Sequence, residues 1–173
     1  MNIQPIWLKY GIYYGILSVL AALVFFYVWP IGMFTQLFIT IVLLVAFMVI
    51  ASKEQKAEDN GILPYGDALK TSFLTGFTGF VIALFFNLIL FNLIDPGLID
   101  VLVERNIEDT KAMMESFGMP EDKLAEAMEK AEEEVGNAYT VSKQIQGIIS
   151  GAFISLIVGA ITSIFTKKEE TFA

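Results

Sequence analysis

The side chains in this chain that could do chemistry are few, and they fall into three groups. The densest ionisable set is Glu132-Glu133-Glu134, with Glu126 and Glu129 just upstream. Clustered carboxylates attract calcium or a basic protein, but a calcium loop needs oxygen ligands at defined positions around a glycine, and this spacing lacks them. The run therefore reads as a solvated helix face open to a basic partner. Four methionines, Met113, Met114, Met119 and Met128, could supply thioethers to a soft metal. Three of them fall on apolar helix faces, where core packing explains them better. The third group is neutral and polar: Gln36, Asn87 and Asn92, set in or beside long apolar runs. In hydrocarbon such groups must find partners, so hydrogen bonds between helices are expected, with a pore-lining or substrate-binding role as the alternative.

Two absences bound the chemistry further. The 173 residues include no histidine and no cysteine, which removes the usual general base, the commonest metal ligand, thiolate chemistry and disulfides together. Nor is there a nucleophile–base pair, a phosphate-binding glycine loop or a metal-ligand cluster. The acidic balance and the lack of a basic stripe disfavour nucleic acid. The expectation is a protein that is not an enzyme and carries no metal or cofactor.

The elements that hold these residues are four apolar runs, 10–29, 31–51, 71–93 and 144–166. No Asp, Glu, Lys or Arg falls inside any of them. About 20 mostly apolar residues suffice to cross the hydrocarbon core. With 55% apolar residues and a mean hydropathy of +0.64, the chain reads as all-α and polytopic, with four transmembrane helices in the lipid bilayer. Pro30 and Gly32 make the tight turn between the first two spans. The link 52–70 carries the turn signal Asp59-Asn60-Gly61, and Asp67 is the expected N-cap of the third span. Asp95-Pro96-Gly97 ends that span.

Small residues recur along the spans. Gly147, Gly151, Ser155, Gly159 and Ser163 repeat every four residues in the fourth, and Thr75, Gly79, Ala83 and Asn87 do so in the third. Gly11 and Gly15 stand in the first. Such stripes let backbones approach closely where no hydrophobic effect drives helices together. Packing within one bundle accounts for them; the functional alternative is a homo-oligomer or an interface with a membrane or periplasmic protein partner.

Between the third and fourth spans lies the segment 95–143, with thirteen acidic and five basic residues, while the rest of the chain is balanced at six of each. Its apolar residues are periodic. Leu98, Ile99, Leu102, Val103, Ile107, Met113, Met114 and Phe117 share one helical face. Gly118 ends that helix and Pro120 begins another, in which Leu124, Met128, Ala131, Val135 and Ala138 form a heptad seam. An amphipathic helical hairpin is expected, broken at Gly136-Asn137 before the fourth span. The organisation is thus 1–94, the first three spans with their short link; 95–143, the acidic hairpin; and 144–173, the last span and tail.

Lysines set the orientation. Lys9, Lys53, Lys56, Lys70, Lys167 and Lys168 all lie near span ends on the side of the termini. The positive-inside rule then puts both termini in the cytoplasm and 95–143 outside it.

Tyr65-Gly66-x-Ala68-Leu69, Ile94-Asp95-Pro96-Gly97, Gly118-Met119-Pro120-Glu121-Asp122 and Ile161-Thr162-Ser163-Ile164-Phe165-Thr166-Lys167-Lys168 occur in this order. Together they resemble a bacterial membrane-protein family known as domain of unknown function 4199, over nearly the whole chain. The resemblance implies a four-span membrane protein with a helical loop before the last span, and no reaction or ligand. Joined to the lysine pattern, it makes the bacterial inner membrane the expected location. An accessory, scaffold or envelope-associated interaction subunit is the expected role, with a small oligomeric channel or transporter as the alternative.

Overall fold

The computed structural model describes residues 5–168, apart from the side chains at 121, 122, 126, 133 and 136. Among the described residues there are six α-helices and no strand. α1 spans Ile6–Leu23 and continues through one π-helical turn, Val24–Val28; α2 is Met33–Glu58. α3 is Tyr65–Ile89, extended by a second π-helical turn, Leu90–Ile94. α4 is Leu98–Ser116, α5 is Glu121–Ala138 and α6 is Val141–Thr166. Four of these, with their π turns, are long and apolar enough to cross a membrane: Ile6–Val28, Met33–Glu58, Tyr65–Ile94 and Val141–Thr166. Only 11–28% of each apolar window is buried inside the protein, so most of this surface faces outward, where lipid is its natural solvent.

Proline sets five of the helix boundaries. α1, α3 and α5 start after Pro5, Pro64 and Pro120, whose φ of −56° to −59° is preset by the ring. Each proline carbonyl accepts an early helical N–H: Lys9 at 3.2 Å, Ala68 at 3.0 Å and Leu124 at 2.9 Å. Asp67 is therefore not the N-cap of α3; it lies in the first turn, where the carboxylate complements the helix dipole. The other two prolines stop helices. Trp29 and Asp95, each preceding a proline, are forced to extended backbone at φ −137° and −143°. Their N–H groups bond back five residues, to Val24 and Leu90, both at 2.8 Å, which satisfies carbonyls that would otherwise be orphaned.

Two boundaries differ from expectation. α2 runs on to Glu58, since Lys53, Glu54, Gln55 and Lys56 are good helix formers, and the link shrinks to 59–64. Asn60 and Gly61, at φ 56° and 84°, reverse the chain there. Gly136-Asn137 does not break α5, which continues to Ala138. A glycine inside a helix only weakens it.

α3 is the centre of the bundle, packed on α1, α6 and α2. Rising contact pairs, Gly11 with Thr78 and Gly15 with Ile82, show that α1 runs parallel to it. Falling pairs show that α6 and α2 run antiparallel: Gly151 with Phe80 and Gly159 with Phe73, then Ser52 with Ser72. Tyr14, Leu44 and Met48 form the mid-bundle core, and Leu90, Phe91, Leu98 and Leu102 a second core at one end. At the opposite end, Leu63 and Lys168 exchange two backbone bonds of 2.9 and 2.8 Å, pinning the α2–α3 link to the end of α6.

Candidate functional site

The small residues of α1 and α3 meet each other. A Cβ added at Gly11 would lie 2.7 Å from Thr78 Cβ, and one at Gly79 would lie 2.1 Å from a Tyr14 ring carbon and 3.0 Å from the Gly11 carbonyl. Thr75 is fully buried beside them and Ala83 half-buried one turn on. On α6, Gly151, Ser155, Gly159 and Ser163 are all buried. Gly151 faces Phe80, Ser155 faces Gly76 and Gly159 approaches the Phe73 backbone. Gly147 stands apart, since a Cβ there would meet nothing within 4 Å. These contacts lie within one chain.

The polar groups of the spans are mostly turned onto their own helices. Ser163 donates to the Gly159 carbonyl at 2.6 Å, Thr162 to Val158 at 2.7 Å, and Asn92 to Leu88 at 2.8 Å. Asn92 itself is exposed, in the π turn that ends α3, and Gln36 is half-buried in the first turn of α2. Ser52 and Ser72 make a buried hydroxyl pair across α2 and α3 at 3.0 Å. Asn87 differs, because its buried Oδ1 finds no partner, and the same holds for the Ser18 hydroxyl. The antiparallel register that sets Gly151 against Phe80 and Ser155 against Gly76 brings Asn87 level with Gln144. Gln144 is 8% exposed and donates to the Tyr139 carbonyl at 2.8 Å.

At the end where α1 stops and α2 begins, α4 is tied down by polar contacts that no local pattern announces. Asp109 accepts the Met33 N–H at 2.7 Å and so caps α2 from 76 residues away. Arg105 donates to the Phe26 carbonyl at 3.4 Å, and the Tyr27 hydroxyl donates to Asp95 at 2.7 Å. Asn106 donates to the Tyr139 hydroxyl at 2.7 Å. Burial holds that phenol above its ordinary pKa, and the bond from Asn106 offsets part of the shift. α4 and α5 pack on each other, joined through Gly118 at φ 71°. Along α5, Leu124, Met128, Ala131 and Val135 are half-buried, whereas Glu129, Glu132 and Glu134 are exposed. The Glu133 side chain lies outside the described residues. Phe117, expected on the apolar face, is 80% exposed.

The other end carries an ion pair and a cleft. Lys9 lies 2.6 Å from Glu54, which also accepts the Tyr10 hydroxyl, so α1 and α2 are joined there. Beside it opens a cleft of about 630 Å³ lined by Trp7, Gln55, Asp59, Asp67, Lys70 and Thr71. Lys56 reaches across to the Thr166 carbonyl at 3.3 Å.

A family profile described as "Protein of unknown function (DUF4199)" matches residues 9–168. Neither a curated protein nor a solved structure matches the chain.

Proposed function

The chain belongs to that DUF4199 family of proteins of unknown function, and from this premise we propose a non-enzymatic accessory or scaffold subunit of the bacterial inner membrane. In this reading both termini are cytoplasmic, and α4 and α5 form an acidic helical hairpin on the outer side that meets a partner. The observation that carries it is the division of labour in that segment. α4 is bonded to the ends of α1 and α2, and α5 offers Glu129, Glu132 and Glu134 to solvent. Carboxylates presented on an anchored helix suit a basic protein surface, because complementary charge speeds encounter and selects partners. The lysines near the span ends on the opposite side support the orientation.

Native mass spectra of the tagged protein in mild detergent test the reading, with a reproducible second protein as the expected result. Reversing Glu132, Glu133 and Glu134 to lysine should then weaken capture. At ~0.5 kcal/mol for each exposed charge the loss is about tenfold, smaller at high salt, with insertion unchanged. Capture that survives the reversal would remove this surface from consideration.

Asn87 favours a second reading. Its amide oxygen is buried without a partner and is therefore, like the Ser18 hydroxyl, left open to a solute or water, as a small channel or transporter requires. Asn87→Leu should then abolish solute flux in reconstituted vesicles, whereas a scaffold has no flux to lose.

A further inference from the structure

α4 touches the membrane-spanning helices along one narrow stripe. Leu98 and Leu102 are buried against Leu90 and Phe91, Arg105 bonds the Phe26 carbonyl, and Asp109 bonds the Met33 N–H. These positions are spaced four, three and four residues apart, so they share one helix face. The groups they meet all sit at the ends of α1, α2 and α3. A helix held at four points along about 16 Å to a surface made of span ends lies across that surface, along the membrane plane.

The same face continues past the last contact. Ala112 and Ser116 follow on it and both are exposed, and Phe117, at its rim, is 80% exposed. Asp109 is the last of these four contacts and meets the start of α2, and the final two turns of α4 run on past it as an overhang with Ala112 and Ser116 exposed. What lies beneath them is set by α2 itself. Phe34, Leu37 and Phe38, immediately below Met33, are exposed apolar side chains that face lipid. The overhang therefore stands above the lipids surrounding α2. A helix with its side chains has a radius of about 5 Å, and the headgroup layer is about 5–7 Å deep on each side. The lower face of α4 falls within that layer. Ala112 and Ser116 occupy it there, with Met113 and Phe117 along one flank, Glu115 on the opposite flank and Lys111 on the far side of the helix.

We propose that the last two turns of α4 rest in the headgroup layer of one leaflet, with the Phe117 ring as an interfacial anchor at the acyl boundary. The occupant of this exposed face is phospholipid, and the anchor keeps α4 flat, so that the carboxylates of α5 are held away from the bilayer. An amphipathic helix lying in the interface buries its apolar face to this depth.

The absence of cysteine makes the test direct, since one introduced thiol carries one spin label. S116C and F117C would be labelled in the full chain in phosphatidylcholine vesicles, with F38C as the lipid reference and E132C as the aqueous one. At both test sites, collisions with oxygen relative to a water-soluble nickel reagent should exceed those at E132C several-fold and fall short of F38C. A ratio equal to that at E132C would put the overhang in water and overturn the proposal. Loss of collisions with both reagents would mean that protein covers it, with the same consequence. S116C leaves Phe117 in place, so the height of the helix is read with the anchor intact.

Discussion

Gly79 shows how tightly single residues are held in this bundle. Its missing Cβ would overlap the Tyr14 ring and press on the Gly11 carbonyl, neither of which can withdraw without separating α1 from α3. Gly79→Val should therefore lower stability by about 1–3 kcal/mol, as overpacking does elsewhere. Gly147→Ala, with open space around the added methyl, should stay within about 0.5 kcal/mol of the parent. Thermal unfolding of both variants in one detergent separates the two cases; an equal loss would mean that the small residues are not the contact. The sequence showed both glycines as members of four-residue stripes, but spacing alone could not say which face a neighbouring helix. Asn87 was legible as a polar group in an apolar run. That its carbonyl oxygen is buried without a partner is visible only in the folded chain.

For whole elements, apolar length was the reliable signal, because hydrocarbon demands an unbroken helix of set length. All four spans were visible in that way, and both helices of the acidic segment by the helical periodicity of their apolar residues. Helix ends were less so: Asp67 reads as a cap by type, yet Pro64 fixes the start of α3 three residues earlier. The contacts that seat α4 were not legible at all, since Asp109 and Met33 are 76 residues apart and nothing local links them. They carry a prediction for α2. Asp109→Ala leaves the Met33 N–H without its acceptor, and loss of a comparable cap costs about 1 kcal/mol. Hydrogen exchange over residues 33–36 should quicken about fivefold, with the rest of α2 unaffected. Unchanged exchange would mean that water replaces the carboxylate without loss.

At the scale of the molecule, α1 and α3 are parallel neighbours that finish alike, each with a π-helical turn, an extended residue and a proline. A π turn holds one residue more per hydrogen-bonded ring than an α turn. Each can therefore be regarded as a spare residue stored at the rim of the bundle, beyond the glycine contacts that define its middle. Deleting Phe25 should let the turn relax to ordinary α-helix while Gly11 and Gly15 keep their places against Thr78 and Ile82. Deleting Leu17 instead would rotate everything after it by about 100° and misdirect the rest of the span. The C-terminal ends of α1 and α3 are thus where this protein can change length by one residue and still assemble, so length variation among related chains should collect at 24–28 and 90–94 and spare the stretches between.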